Sequence, residues 1–530
     1  MPSSPSDSRV RPTGPRRSPR VGSRSMRGLL GRRAGHDDTG VYRNFGRSVA
    51  YTPARHFRPA SEAEVLEILD EERAAQVRVV GSGHSFGELV RADGAVTLDL
   101  ACLDTVGFVR RASGEVDAVV GAGCTIERLL AQLDRALGLT LPTVGGVTQQ
   151  TIAGAIATAT HGSGPHSLSH YVQSMRIAVY DPTRDRHVVA DVADGDALAA
   201  ARCGLGCCGV VLSVRIACVR QYWVRQTVRR SYSVDEVLAR GTAFPLQYFL
   251  VVPFRWELAV FERAPTGTRP GTRERVRAAL RRLVTLATVD FAFHLCVAAM
   301  PRLLGSPRRL RFIYGALLPV LLLRRRATTD RSDRALTLAH HWFRHVELEL
   351  AVPEARLASV IEIVREVTEV FAGVRESVSS SLRQALRRHG LEEALAAGRG
   401  RYVLAYPISC RRLREDDALI SMSSRVGDRG GARITLSFFA YDRDLSAFGE
   451  YASFVARALG VLEDARPHWG KIFPIGADDV ERLYGPALER FRSAASRADL
   501  RGTFRNAFTA DKLGLPLRAA KPETPAGAEM

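Results

Sequence analysis

Residues 77–86 read VRVVGSGHSF, a β-branched run that stops in Gly-Ser-Gly and is followed at once by a histidine. Val77, Val79 and Val80 suit a buried strand, and the two glycines allow a turn tight enough to present successive backbone N–H groups to an anionic ligand. A loop made of Val80, Gly81, Ser82, Gly83, His84 and Ser85 is therefore a candidate pyrophosphate cradle. The same pattern also suits an ordinary turn after a strand, with His84 only capping it.

A second segment bears on that choice. Residues 141–164 read LPTVGGVTQQTIAGAIATATHGSG, where Gly145, Gly146, Thr148, Thr151, Gly154, Ala155, Thr158, Thr160 and Gly162 leave few large side chains. A backbone this bare can lie against a flat ligand while its amides and hydroxyls bond the ligand's heteroatoms; tight helix–strand packing asks for the same small residues. Between the two segments, TLDL (97–100) and VDAVVGAG (116–123) read as strands, and IERLLAQLDRALG (126–138) as an amphipathic helix closed by Gly138.

In this order and spacing, the two segments resemble the FAD-binding domain of the vanillyl-alcohol oxidase (PCMH) type. The nearest branch is that of the sugar-lactone and alditol oxidases, which includes L-gulono-1,4-lactone, D-arabinono-1,4-lactone and alditol oxidases. The resemblance runs from about Asn44 to Gly514. NFGRSVAYTPARHFRPASEAEVLEIL (44–69) is similar to the family's opening segment and GLGCCGVVLSVRI (204–216) to its second flavin-contacting turn; RPHWGK (466–471) and GTFRNAF (502–508) resemble its C-terminal signature.

The resemblance implies FAD as cofactor. Val80, Gly81, Ser82, Gly83, His84, Ser85, Gly145, Gly146, Thr151, Gly154, Ala155, Thr158, His161, Gly162, Val210 and Asn506 would hold it, and no metal is implied. It also implies that His84 carries the flavin covalently, through a bond from an imidazole nitrogen to the 8α-methyl carbon, which needs a neutral imidazole. The implied reaction oxidises a CH–OH carbon: hydride passes to flavin N5, and O2 or another acceptor takes the electrons, O2 giving hydrogen peroxide. Glycine at 145, where dehydrogenase relatives place an alanine that blocks oxygen, favours the oxidase over the dehydrogenase.

Two cations are implied in catalysis. Arginine outnumbers lysine 72 to 3, so a lysine inside a recognisable motif points to a need for its compact ammonium. Lys471, in HWGK, would either polarise the substrate oxygen or stabilise negative charge on the cofactor. Arg411, in YPISCRRLREDDALIS (406–421), matches the arginine that faces substrate in the family, and Arg412 should point to the opposite face of the same strand.

Three positions depart from the polyol-binding pattern: Gly146 and Ala440 stand where alditol oxidase has hydroxyls, and Ser409 stands where it has a carboxylate. Each loss removes a hydrogen-bond partner worth about 1 kcal/mol, more when charged. The expected substrate is a small-molecule alcohol: a sugar lactone, an alditol or a related alcohol. The alternatives are a flavin dehydrogenase, an oxidase of a less polar alcohol, and a non-catalytic flavoprotein docked on a membrane.

The net charge of +19 is uneven, with nine arginines against one aspartate in residues 1–35, and that basic tail is expected to be disordered over 1–40. Residues 289–326 are the second anomaly, with seven arginines and no acid between Phe291 and Arg326. Their apolar run from Phe312 to Leu323 is too short to cross a bilayer of about 30 Å. The segment is either buried cap helices or a surface for peripheral membrane contact. Cys203, Cys207 and Cys208 read as small apolar filler rather than metal ligands. Free thiols and no apolar signal core point to the cytoplasm, with or without membrane association. No P-loop, internal repeat or nucleic-acid motif is present, so nucleic acid is not an expected partner.

The fold class expected is α+β: a two-subdomain FAD-binding domain (44–220) and an α+β cap domain with an antiparallel sheet (221–515), followed by a disordered tail (516–530). QYFLVV (247–252), HVELELAV (345–352), RYVLAYPIS (401–409) and RITLSFFAY (433–441) are the expected cap strands, with helix SVIEIVREVTEVFAG (359–373) packed across them.

Overall fold

Three parallel strands carry the Gly-Ser-Gly loop. Strands β1 (Arg55–Phe57), β2 (Val77–Val80) and β3 (Val96–Asp99) pair in the order β1-β3-β2. Helix α1 (Glu62–Glu71) begins where Ser61 Oγ accepts from the Glu64 amide at 3.2 Å, and it buries Val65, Ile68 and Leu69 in the same apolar cluster as the sheet. This computed structural model describes residues 35–36, 40–285, 305–322, 327–337, 345–425, 431–441 and 445–518. Nearly all of the expected basic tail, the stretches 289–304 and 323–326 of the second anomaly, and 519–530 lie outside the described residues.

The second subdomain is an antiparallel sheet. Strands β4 (Val106–Arg110), β5 (Val116–Gly121), β6 (Val172–Asp181), β7 (Arg186–Val192) and β8 (Val210–Ala217) run in the order β7-β6-β8-β5-β4. Helix α2 (Ile126–Leu137) is capped by Thr125 and ends at Gly138, whose φ of 61° is the left-handed geometry that glycine adopts without penalty. Helix α3 (Ile152–Ala157) is built from the small-residue segment and capped by Thr151.

The cap is an eight-stranded antiparallel sheet. Its strands are β9 (Trp223–Ser231), β10 (Tyr248–Val252), β11 (Glu257–Thr266), β12 (Thr328–Arg331), β13 (His345–Pro353), β14 (Ile408–Leu413), β15 (Arg433–Tyr441) and β16 (Arg466–Pro467), in the order β12-β9-β11-β10-β14-β15-β13-β16. Helices α4 (Thr272–Thr285) and α5 (Pro307–Leu322) lie between β11 and β12 in the chain; α6 (Leu357–Phe371) follows β13, and α7 (Leu445–Glu463) follows β15. Val346, Leu348 and Leu350 of β13 share an apolar core with α6 and α7, so the alternate residues Glu347 and Glu349 face the other way.

Two expectations are corrected here. The strand expected over 401–409 begins only at Ile408: Pro407 has no N–H for the ladder, and the Tyr402 amide bonds the Phe371 carbonyl at the end of α6. The stretch from Asp499 to helix α8 (Ala507–Leu513) also returns to the first subdomain. Val77 N donates to Thr503 O at 2.9 Å, the buried Arg78 donates to Phe504 O at 2.6 Å, and Phe504 joins the core around Val65 and Leu98.

Candidate active site

The two glycine segments meet. A Cβ on Gly81 would stand 2.4 Å from the Thr151 hydroxyl, and one on Gly162 would stand 1.8 Å from the Val144 carbonyl, so Gly81 packs on the Thr151 side chain and Gly162 on the Val144 backbone. Gly83 has φ of +68°, which turns the loop so that the amides of Ser82, Gly83, His84 and Ser85 meet no backbone carbonyl among the described residues. The loop opens into a cavity of about 1310 Å³ bounded by both subdomains and the cap.

His84 faces this cavity with its ring 4.9 Å from that of Phe45. Burial, and then the nearby Lys471 ammonium, push its pKa down to about 4, so the imidazole is neutral at physiological pH. Lys471 is set by the HWGK turn, which is stitched on two sides. His468 N and Ile472 N donate to the carbonyls of Glu349 (2.9 Å) and Glu347 (3.0 Å) on β13, while Phe86 N, just after the Gly-Ser-Gly loop, donates to Gly470 O (2.9 Å). Trp469 locks the turn from behind, its Nε1 donating to Ile420 O at 2.6 Å. Lys471 Nζ therefore stands between the loop and the cap sheet, 5.0 Å from the Phe86 ring centre and hydrogen-bonded to Glu347 Oε2.

Beside that pair lies a second, deeper one. His161 Nε2 is 3.0 Å from Glu349 Oε1, which also accepts from Ser437 Oγ at 3.2 Å. Burial pushes the Glu349 carboxyl up, but His161, then His468 and Lys471, outweigh it and hold it well below the usual range. His468 is driven the other way: burial first, and Lys471 against the opposing pull of Glu349, bring it down to about 3. His161 Nδ1 is buried with no partner among the described residues.

Arg411 and Ser409 share the cavity face of β14, and Arg412 points away to an ion pair with Glu354 at 2.6 Å, as the alternation requires. Of the residues expected around the cofactor, Val80 through Ser85, Gly145, Gly146, Thr151, Gly154, Thr158, His161 and Gly162 all line the cavity. Three do not. Ala155 of α3 faces the core, and Val210, at the start of β8, packs among Val65 and Leu98. Asn506 caps α8 and spends its amide on the carbonyls of Leu89 and Arg91 (3.0 Å each), tying the C-terminal helix to the loop that follows His84. Ala440 also turns into the core; its neighbour Phe439 occupies the cavity wall.

Sequence reasoning missed Glu347, Glu349 and His468. The two glutamates alternate with Val346, Leu348 and Leu350, a pattern that reads as a solvent face. Only the HWGK turn laid over β13 buries them, at 5% and 3% exposure. The signal available was a pair of acids two apart in a strand otherwise apolar enough to be central.

Unpartnered loop amides, the closely packed glycine backbones and the orphan His161 nitrogen on one cavity fit a large group with a flat ring system and an anionic linker, as FAD has. The comparisons agree: residues 53–182 match the FAD binding domain family and residues 249–512 match the D-arabinono-1,4-lactone oxidase family. A long-chain alcohol oxidase from an uncultured marine euryarchaeote is 39% identical over 470 residues, which are 88% of this chain and 96% of the relative. The L-gulonolactone oxidase of Bos taurus is 23% identical over 488 residues, 89% of this chain and 98% of the relative. Among solved structures, a solvent-stable cholesterol oxidase superposes with a TM-score of 0.65 at 15% identity, covering 92% of this chain and all of its own. That last likeness concerns the fold alone.

Proposed function

Since this chain belongs to the family of FAD-binding oxidases that act on alcohols and sugar lactones, we propose that its own substrate is an alcohol carrying an apolar chain. What carries this reading is the cavity face of the cap sheet. Next to Arg411 it presents Tyr248, Leu250, Val252, Ala259, Phe261 and Val228, and helix α5 adds Ile313 and Tyr314 from above. A polyol or lactone lying along these side chains would lose its water without gaining partners from them, at about 1 kcal/mol or more per hydroxyl. The relative with 39% identity is itself a long-chain alcohol oxidase.

FAD, when bound, supplies the hydride acceptor and returns the electrons to oxygen as peroxide. The chain's residues do the rest. We assign His84 as the covalent attachment point, its neutral ring being the nucleophile the bond requires. We assign Lys471 to stabilise negative charge developing on the alcohol oxygen, with Glu347, hydrogen-bonded to its Nζ, orienting it and balancing its charge. Arg411 donates to the same oxygen or to the cofactor edge. The glycine at 145 is read as favouring the oxidase, and a Cβ there would stand 3.0 Å from Thr160 Cγ2. In an oxygen electrode, a long-chain primary alcohol should consume O2 and yield one peroxide per turnover. Substrate oxidation that proceeds with an artificial acceptor but without oxygen uptake would make the protein a dehydrogenase.

Peripheral membrane contact belongs to the same reading. Of the segment 289–326, the described part is 305–322, chiefly α5, where Phe312 is 79% exposed and follows Arg308, Arg309 and Arg311 within about one helical turn. On α4, Val276, Leu280 and Leu283 are 57–62% exposed one helical turn apart, among Arg273, Arg275 and Arg277. No helix among the described residues is long and apolar enough to cross a membrane. Anionic vesicles should float the protein at low salt and release it as salt rises. Absence of binding to anionic vesicles at low salt would contradict this contact.

A further inference from the structure

We propose that the apolar side of the cap sheet is a tail subsite that measures the substrate's alkyl chain, with Ala259 as the floor of its trough; this rests on the alcohol reading above. The strand register draws the subsite. Arg411 pairs with Tyr248, Tyr248 with Phe261 and Phe261 with Val228, so one rank crosses four strands from the cationic end to an aliphatic one. The neighbouring rank runs from Ser409 to Leu250 to Ala259 and ends on β9 at Arg230.

The two ranks differ in height. Tyr248 and Phe261 stack at 4.3 Å with an 11° tilt and stand as a ridge, while Ala259 offers only a methyl group beside Leu250. That step is a groove running across the strands. Its roof is α5, where Leu310 and Tyr314 join Val228, Val252 and Ala259 in one apolar cluster and Tyr314 Oη donates to Ala405 O at 2.5 Å. Its far end is polar: Arg230 of β9, the register partner of Ala259, is ion-paired with Glu257 at 3.3 Å. Methylenes that reach this pair gain nothing from burial.

The length follows from sheet geometry. From β14 to β9 there are three strand spacings, roughly 14 Å in all. An extended alkyl chain, with C–C bonds of about 1.5 Å, advances about 1.3 Å per carbon. The trough therefore matches a chain of about eleven carbons.

The test is kcat/KM across primary alcohols from butan-1-ol to octadecan-1-ol. In the wild type it should rise about three- to fourfold per methylene and level off near undecan-1-ol. Ala259→Phe fills the trough and should move that break to shorter chains, cutting the dodecan-1-ol value more than tenfold further than the hexan-1-ol value. Val228→Ala, which removes bulk at the far end and keeps the test open if the larger side chain fails to fold, should move the break to longer chains. Circular dichroism and bound-flavin absorbance check each variant's fold. A profile without a break, or a break that correctly folded variants leave in place, overturns the tail subsite. If no primary alcohol reduces the flavin at all, the alcohol reading falls, and the tail subsite falls with it.

Discussion

Lys471→Met will slow anaerobic flavin reduction by a good alcohol substrate by about a hundredfold or more, with the flavin still bound. Methionine keeps most of the side-chain volume and removes the charge that stands between the flavin-side loop and β13. In a chain with 72 arginines and 3 lysines, a lysine here also avoids the wide guanidinium fork that the space beside Phe86 and Glu347 would have to admit. The single substitution leaves Glu347 buried without its cation, which costs stability as well as rate. Lys471→Met with Glu347→Gln removes that complication and should be equally slow in stopped-flow reduction. Wild-type reduction rates in both variants would reduce Lys471 to a structural role.

His84→Ala will abolish covalent flavin. After acid precipitation and a denaturing gel, the wild-type band should fluoresce yellow-green and the variant band should not. The desolvated ring adds a pH consequence. With its pKa lowered to about 4, the imidazole is already neutral across the physiological range. Covalent incorporation into the apo-protein should thus be nearly flat between about pH 6 and 8, whereas an ordinary histidine titrating at about 6.5 would gain steeply there. A colourless wild-type band, with all flavin in the supernatant, contradicts the covalent assignment.

Much of this site was legible in the residues, and the reason is backbone chemistry. VRVVGSGHSF and the bare segment 141–164 announce themselves because only glycine and small residues permit the approach that brings Gly81 against Thr151 and Gly162 against Val144. Arg411 and Arg412 could be assigned to opposite faces because strand alternation leaves no third choice. What escaped depends on what is laid over a strand. Glu347 and Glu349 look solvated until the HWGK turn covers them. Ala440 and Phe439 show how one residue of register exchanges core for cavity. Asn506 looks like a ligand-binding amide, yet its donors meet carbonyls 415 to 418 residues earlier in the chain, a partnership no local pattern announces. The carboxylate missing at Ser409 is not missing from the site either; Glu349 enters from two strands away, beside Ser437, the register partner of Ser409.

The pocket's departures from polyol recognition and its apolar floor make one comparison decisive: anaerobic stopped-flow reduction by dodecan-1-ol against L-gulono-1,4-lactone and xylitol. The expected result is a second-order reduction rate at least about a hundredfold higher for the alkanol, since each buried methylene contributes about 0.8 kcal/mol. Fast reduction by the lactone or the polyol, with dodecan-1-ol slow or inert, would contradict the assignment of an apolar alcohol as the substrate.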